Sequence, residues 1–222
     1  MSASNGSLPA EDSYTAFTEL KETFPHFDTE KIKTEELLEG SRGIVKVIDR
    51  FGKVFAPVVF DMNRNIDKIN VKFVTDEKSF EYVEDMVLLE KGSDSNVATD
   101  ALQWLRRALH FIGRLFQQLI DNHDSGITSS DLTPILKRAY SETLEQYHGW
   151  LGTQLFNVIT RFAPTVHCLF YTLALDKHNK VDHVVRDMRI LTLKIEGCVE
   201  KLRRFYEENN LETFYRCYKK LV

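Results

Sequence analysis

Apolar residues recur every three to four positions through almost the whole of this 222-residue chain, and no run alternates as a half-buried strand must. That periodicity confines the fold to packed helices. The spacing predicts helices near 14–24, 34–50, 57–74, 78–91, 97–121, 131–147, 149–162, 166–175 and 181–209. The interruptions carry the matching punctuation: Gly52 with Pro57, Gly92 with Ser93 and Ser95, the run from Asn122 to Gly126, and Gly149. No internal repeat or low-complexity tract divides the chain. The expectation is therefore one all-α domain over 13–222, preceded by a disordered leader over 1–12.

The leader, MSASNGSLPAED, has neither the cationic start nor the apolar stretch of a secretion signal. Two charge-free stretches, 147–160 and 162–175, are each too short to span a bilayer, and the second contains Pro164. With 29 basic and 33 acidic residues the net charge is −4, so no overall basic field draws the chain to nucleic acid. Cys168, Cys198 and Cys217 are odd in number and far apart, which suits reduced thiols and no disulfides. Together these features read as a soluble, cytoplasmic protein.

Two segments depart from a single greasy stripe. After Pro57, an apolar seam runs through Val59, Met62, Ile66, Ile69 and Phe73. A second line, Asp61, Asn65, Lys68 and Lys72, is rotated from it by about 100°. Such a line is either a solvated face or a polar edge to something buried. Further on, ATDALQWLRRALHFIGRLFQQLI carries two adjacent stripes, one through Leu105, Leu109, Ile112 and Phe116, the other through Trp104, Ala108, Phe111 and Leu115. So wide an apolar arc suits a helix packed centrally between layers. Trp104 could be ordinary core, yet Asp100, Gln103 and Arg107 surround one end of its indole with polar groups.

Signatures of catalysis are missing. The chain has no nucleophile elbow, phosphate loop, dinucleotide fingerprint or H-E-x-x-H motif. His178 and His183 are five apart, badly placed to share a metal on one helix face. No metal and no cofactor are expected. A glycosidase using Asp61 and Asp100 stays conceivable, because carboxylate separation is invisible in a sequence. His148 stands apart in QYHGWL, where a glycine breaks two apolar helices and Trp150 follows. A histidine there can cap the kink, and an aromatic at a break can be core or touch a membrane interface.

In combination these pieces resemble the glycolipid transfer protein family. Three segments in order carry the likeness: VFAPVVFDMNRNIDKI, ALQWLRRALHF, and YHGW followed by an apolar helix and FAPT. The resemblance extends over nearly all of the chain after about residue 34. It implies a single-domain, two-layer helical sandwich that encloses a hydrophobic lipid tunnel and has no disulfides. It also implies roles by position. Asp61 would bond the ceramide amide N–H and a sugar hydroxyl, Asn65 and Lys68 other sugar oxygens, and Trp104 would be a platform for the sugar ring. His148 would donate to the amide carbonyl, and Tyr215 would close the site. Phe55, Val58, Leu144, Phe156 and Leu169 match tunnel-lining positions, although each would pass as ordinary core. Trp150 would dock on the membrane.

The physical demands agree with that picture. Hydrogen bonds to charged groups contribute about 1.5–3 kcal/mol each, against roughly 1 for neutral pairs. Two alkyl chains left in water would cost well over ~20 kcal/mol at about 0.8 kcal/mol per methylene, so a carrier must enclose them.

A related branch of the family carries ceramide 1-phosphate, with arginine at the position of Trp104, another arginine four residues earlier, and lysine four residues after the aspartate. Here those positions are Trp104, Asp100 and Asn65. A carboxylate at Asp100 would repel a phosphate monoester, and could instead accept a sugar hydroxyl. The expected ligand is thus a neutral glycosphingolipid such as glucosyl- or galactosylceramide, carried between membranes without catalysis and with transient membrane contact. Three other readings stay open: a lipid sensor acting through a protein partner, a glycolipid hydrolase, and a helical interaction protein without lipid. A monomer is compatible with all of them.

Overall fold

Helices form where the apolar spacing places them, and they arrange around one long central helix. The computed structural model describes residues 13–25, 30–91, 95–127 and 129–213, without the side chains at 150 and 151. In chain order the helices are α1 (Leu20–Thr23), α2 (Thr34–Asp49), α3 (Ala56–Phe73), α4 (Val83–Glu90), α5 (Val97–Asp124), α6 (Thr133–Thr143), α7 (Trp150–Arg161), α8 (Val166–Leu173) and α9 (Val181–Glu208). Short 3₁₀ turns at Lys53–Phe55 and Glu145–Tyr147 lead into α3 and away from α6. The expected leader over 1–12 lies outside the described residues.

The double stripe of α5 does what its width requires. Leu105, Leu109, Ile112 and Phe116 are buried on one side, Trp104, Phe111 and Leu115 on the other. The helix accordingly touches α3, α4, α6 and α9, while α2 covers α3 and α1 joins α2 to α9. Each fully buried Leu or Phe stabilises this two-layer all-α sandwich by about 1.5–3 kcal/mol. No described helix is long and apolar enough to cross a membrane.

Three expected helices are shorter than their periodicity. Helix 14–24 shrinks to Leu20–Thr23 because the preceding residues turn to meet α9. Thr15 Oγ1 donates to Asp187 Oδ2 at 2.9 Å, and Lys21 Nζ reaches Asp187 Oδ1 at 2.9 Å. Helix 78–91 begins only at Val83, since Tyr82 forms an antiparallel bridge with Lys33, flanked by Thr34 N donating to Glu81 O and Val83 N to Ile32 O. Helix 131–147 ends at Thr143 and tightens into the 3₁₀ turn that presents Tyr147 and His148.

Two local devices fix the elements that build the site. Gly52 adopts φ 104°, a left-handed conformation that lets the chain turn from α2 into Pro57 at the start of α3. Glu90, at the end of α4 and almost fully buried, accepts from Ala98 N (3.2 Å), Thr99 N (2.8 Å) and Thr99 Oγ1 (2.8 Å). It thereby caps α5, whose own flanking residue Asn96 provides no side-chain cap. Cys168 and Cys198 are free thiols, and burial pushes Cys198 up to about 12. Cys217 lies outside the described residues.

Candidate functional site

Helices α3, α5, α6 and α7 enclose a cavity of about 430 Å³. Its wall is apolar where Phe55, Val58, Phe111, Leu144 and Phe156 line it, and polar where Asp61, Arg64, Trp104, Tyr147 and His148 do. A pocket of that size and mixture, largely apolar with a few polar groups, is what a lipid-like ligand needs.

The polar line of α3 separates in space. Asp61 borders the cavity, half-buried. Asn65 is wholly buried and does not line it; its Nδ2 donates to the Asp61 carbonyl at 2.9 Å and to Asp61 Oδ2 at 3.2 Å. Asn65 therefore holds the aspartate from behind, while its own Oδ1 is buried without a hydrogen-bond partner. Lys68 lines a neighbouring groove rather than the cavity, and Asp100 is exposed outside both. Leu169 is core, away from the cavity wall. Tyr215 and the side chain of Trp150 lie outside what is described.

Aromatic rings organise the other wall. Trp104 stacks on His148 with centroids 6.0 Å apart and planes at 21°. Tyr140 lies flat on Phe156 at 3.8 Å, and Phe111 meets Phe156 edge-on at 6.4 Å. The Tyr140 hydroxyl is 3.2 Å from His148 Nδ1. Burial raises the Tyr140 pKa, with a hydrogen bond to Thr153 working against it, so the phenol stays protonated at neutral pH. Gly152 faces this histidine closely: a Cβ there would stand 2.9 Å from His148 Cγ.

Behind the indole sits a group that periodicity alone passes over. Arg107, 2% exposed, places its guanidinium 3.7 Å from the Tyr147 ring centroid and 4.9 Å from that of Trp104. Its Nη2 donates to Glu212 Oε1 at 2.9 Å and to the Thr213 carbonyl. Arg106 chelates both oxygens of the same glutamate, at 2.9 and 2.7 Å. Gln103 binds this segment too, donating to Leu211 O and accepting from Thr213 Oγ1. The polar neighbours of Trp104 thus hold the segment Leu211–Thr213 against α5. Arg107 was visible as one such neighbour and Tyr147 only as the first residue of YHGW, whereas Tyr140 and Glu212 carried no sequence signal of their own.

The site is arranged for binding: an acceptor at Asp61, an imidazole at His148, a flat indole between apolar walls. Among the described residues no group of His, Cys, Asp and Glu could hold a metal ion.

Known proteins are similar to this chain in sequence and in fold. The sequence profile of the family described as glycolipid transfer protein matches residues 32–175. The pleckstrin homology domain-containing family A member 8 of Canis lupus familiaris is 32% identical over 192 residues, covering 82% of this chain and 36% of that protein. The chain thus spans about a third of the length of these pleckstrin homology domain-containing relatives. A solved structure described as showing how FAPP2 selects simple glycosphingolipids using the GLTP-fold superposes with TM-score 0.79 at 28% identity, over 91% of this chain and 99% of that one. The human ceramide-1-phosphate transfer protein bound to 12:0 ceramide-1-phosphate superposes with TM-score 0.73 at 15% identity, over 90% and 97%. The fold is thus common to proteins with differently headed lipids.

Proposed function

The chain belongs to the glycolipid transfer protein family, and from that premise we propose that it carries a neutral glycosphingolipid between membranes without chemical change. The observation that carries this reading is the pairing of Asp61 with Trp104 and His148 around one apolar cavity. In this reading the Asp61 carboxylate accepts the ceramide amide N–H and a sugar hydroxyl, and the indole supports the C–H face of the sugar. Asn65 acts through Asp61: one hydrogen bond to Oδ2 orients the carboxylate, while the other anchors the amide to the Asp61 main-chain carbonyl. The protonated Tyr140 phenol donates to His148 Nδ1, which leaves Nε2–H as the donor for the amide carbonyl.

The headgroup is a sugar rather than a phosphate in this reading. Arg106 and Arg107, the cations nearest Trp104 in sequence, share Glu212 as their counter-ion. The described selectivity of the FAPP2 structure for simple glycosphingolipids points the same way. Membrane contact is supported by exposed Leu155 and Val158 on α7, the helix that Trp150 begins, and by exposed Phe162 just past its end.

The test is to express the chain in eukaryotic cells, purify it gently, extract with organic solvent and identify bound lipid by mass spectrometry. A monohexosyl- or dihexosylceramide should co-purify and be lost from Asp61→Val. Recovery of a phosphorylated ceramide, or of no sphingolipid, would overturn the reading.

A further inference from the structure

Beside the cavity, on the opposite side of α3 from its buried seam, lies a second, shallower groove of about 480 Å³. It is formed along α3 by Phe60, Asn63, Arg64, Asp67, Lys68 and Val71, and closed by Val97 at the start of α5. Phe60 and Arg64 line both hollows, so the groove continues from the mouth of the cavity. From Phe60 to Val71 the helix rises roughly 16 Å at 1.5 Å per residue, more than one pyranose ring requires.

The composition of the groove is selective. Phe60 is 69% exposed and Val71 66%, although large apolar side chains on a solvent-facing helix surface incur a hydration cost. The polar groups of Asn63, Arg64, Asp67 and Lys68 line the groove with them. An exposed aromatic face flanked by amide, guanidinium and carboxylate matches a sugar ring, with C–H groups on its face and neighbouring hydroxyls on its rim that both donate and accept. A membrane surface fits less well. Seating this face in lipid would bury the Asp67 carboxylate, and an anionic bilayer would repel it.

We infer that this groove seats the outer sugar of a glycosphingolipid whose first sugar occupies the Asp61–Trp104 cavity, so the preferred cargo is a dihexosylceramide. The inference rests on the glycolipid reading above and sharpens it. Phe60 and Arg64 guide the headgroup from one hollow into the other, and Asn63 with Asp67 bonds the second ring.

The experiment compares transfer of galactosylceramide and lactosylceramide from neutral phosphatidylcholine vesicles by the full chain. Wild type should favour lactosylceramide by about tenfold, the yield of two or three modest hydrogen bonds. Asn63→Ala/Asp67→Ala removes the partners, and Val71→Trp fills the groove from an exposed position. Each should bring the ratio toward unity by slowing lactosylceramide alone, with galactosylceramide transfer and thermal stability unchanged. An unaltered ratio in both variants overturns the inference, as does an equal loss for both lipids, which would mean that the groove meets the membrane. If wild type moves neither glycolipid, the parent reading fails as well, and the wild-type arm alone reveals that.

Discussion

The hydroxyl of Tyr140 stands 3.2 Å from Nδ1 of His148, while the Tyr140 ring lies flat against Phe156 at 3.8 Å. One side chain therefore sets the direction of the histidine and forms part of the apolar wall. Tyr140→Phe keeps the stack and removes only the hydrogen bond. It should lower glycolipid transfer about fivefold, corresponding to a bond contributing about 1 kcal/mol, with the helical circular dichroism unchanged. Transfer equal to wild type would remove Tyr140 from the binding account.

Gly152 separates stability from binding. A Cβ at this position would approach His148 Cγ to 2.9 Å and Nδ1 to 3.1 Å. Alanine in the first turn of α7 gains about 0.5–1 kcal/mol of helix propensity. The new Cβ also meets His148 Cβ at 3.0 Å, so relieving the clash offsets that gain and stability should stay level or fall slightly. The same Gly152→Ala change should cut transfer tenfold or more by displacing the imidazole. Thermal melting and a vesicle assay on one preparation would show the two quantities moving apart.

Glu212 is the shared counter-ion of Arg106 and Arg107, whose side chains are 5% and 2% exposed. Its removal strands two buried cations, Arg107 beside the indole and Arg106 over the Tyr206 ring. Glu212→Ala should therefore destabilise the protein by about 3 kcal/mol, the usual cost of breaking a buried pair from one side. Urea unfolding would measure it, and an unchanged midpoint would mean that the arginines find other partners.

Only part of this arrangement is legible in the sequence. The central helix was legible because the double stripe around Leu105 and Trp104 has one physical explanation, burial on two sides. Asp61, Trp104 and His148 could be grouped through family likeness, and they do border one cavity. The division of the α3 polar line was illegible. Asp61, Asn65 and Lys68 share a spacing, yet burial turns Asn65 behind the aspartate and leaves Lys68 on the neighbouring groove. Nor could spacing pair Arg107 with Glu212, 105 residues apart. The bridge between Lys33 and Tyr82 shortened α4 for the same reason, since a contact across 49 residues overrode local periodicity.

Acid should loosen the amino-terminal segment first. Burial alone would raise the Asp187 pKa, but hydrogen bonds from Arg186, Lys21 and Thr15 outweigh it and hold the carboxyl below its ordinary 3.8. A depressed carboxylate contributes stability that is complete above the unfolded value and lost as pH falls through the lower folded one. The clamp between residues 15–21 and α9 should thus persist to about pH 4 and fail in stronger acid. Asp187→Asn should be less stable at pH 7 and lose that part of the acid dependence. Hydrogen exchange at Phe17 and Lys21, followed from pH 6 to pH 3, would register the opening.

The central claim is that Asp61, Trp104 and His148 select a sugar-bearing, unphosphorylated sphingolipid. The direct measurement is a competition in which the chain transfers fluorescent galactosylceramide between vesicles while unlabelled lactosylceramide, ceramide 1-phosphate or ceramide is added. Lactosylceramide should compete strongly, the other two weakly, and Asp61→Val or Trp104→Ala should abolish transfer while leaving the fold intact. Efficient competition by ceramide 1-phosphate, or normal transfer by both variants, would contradict the account.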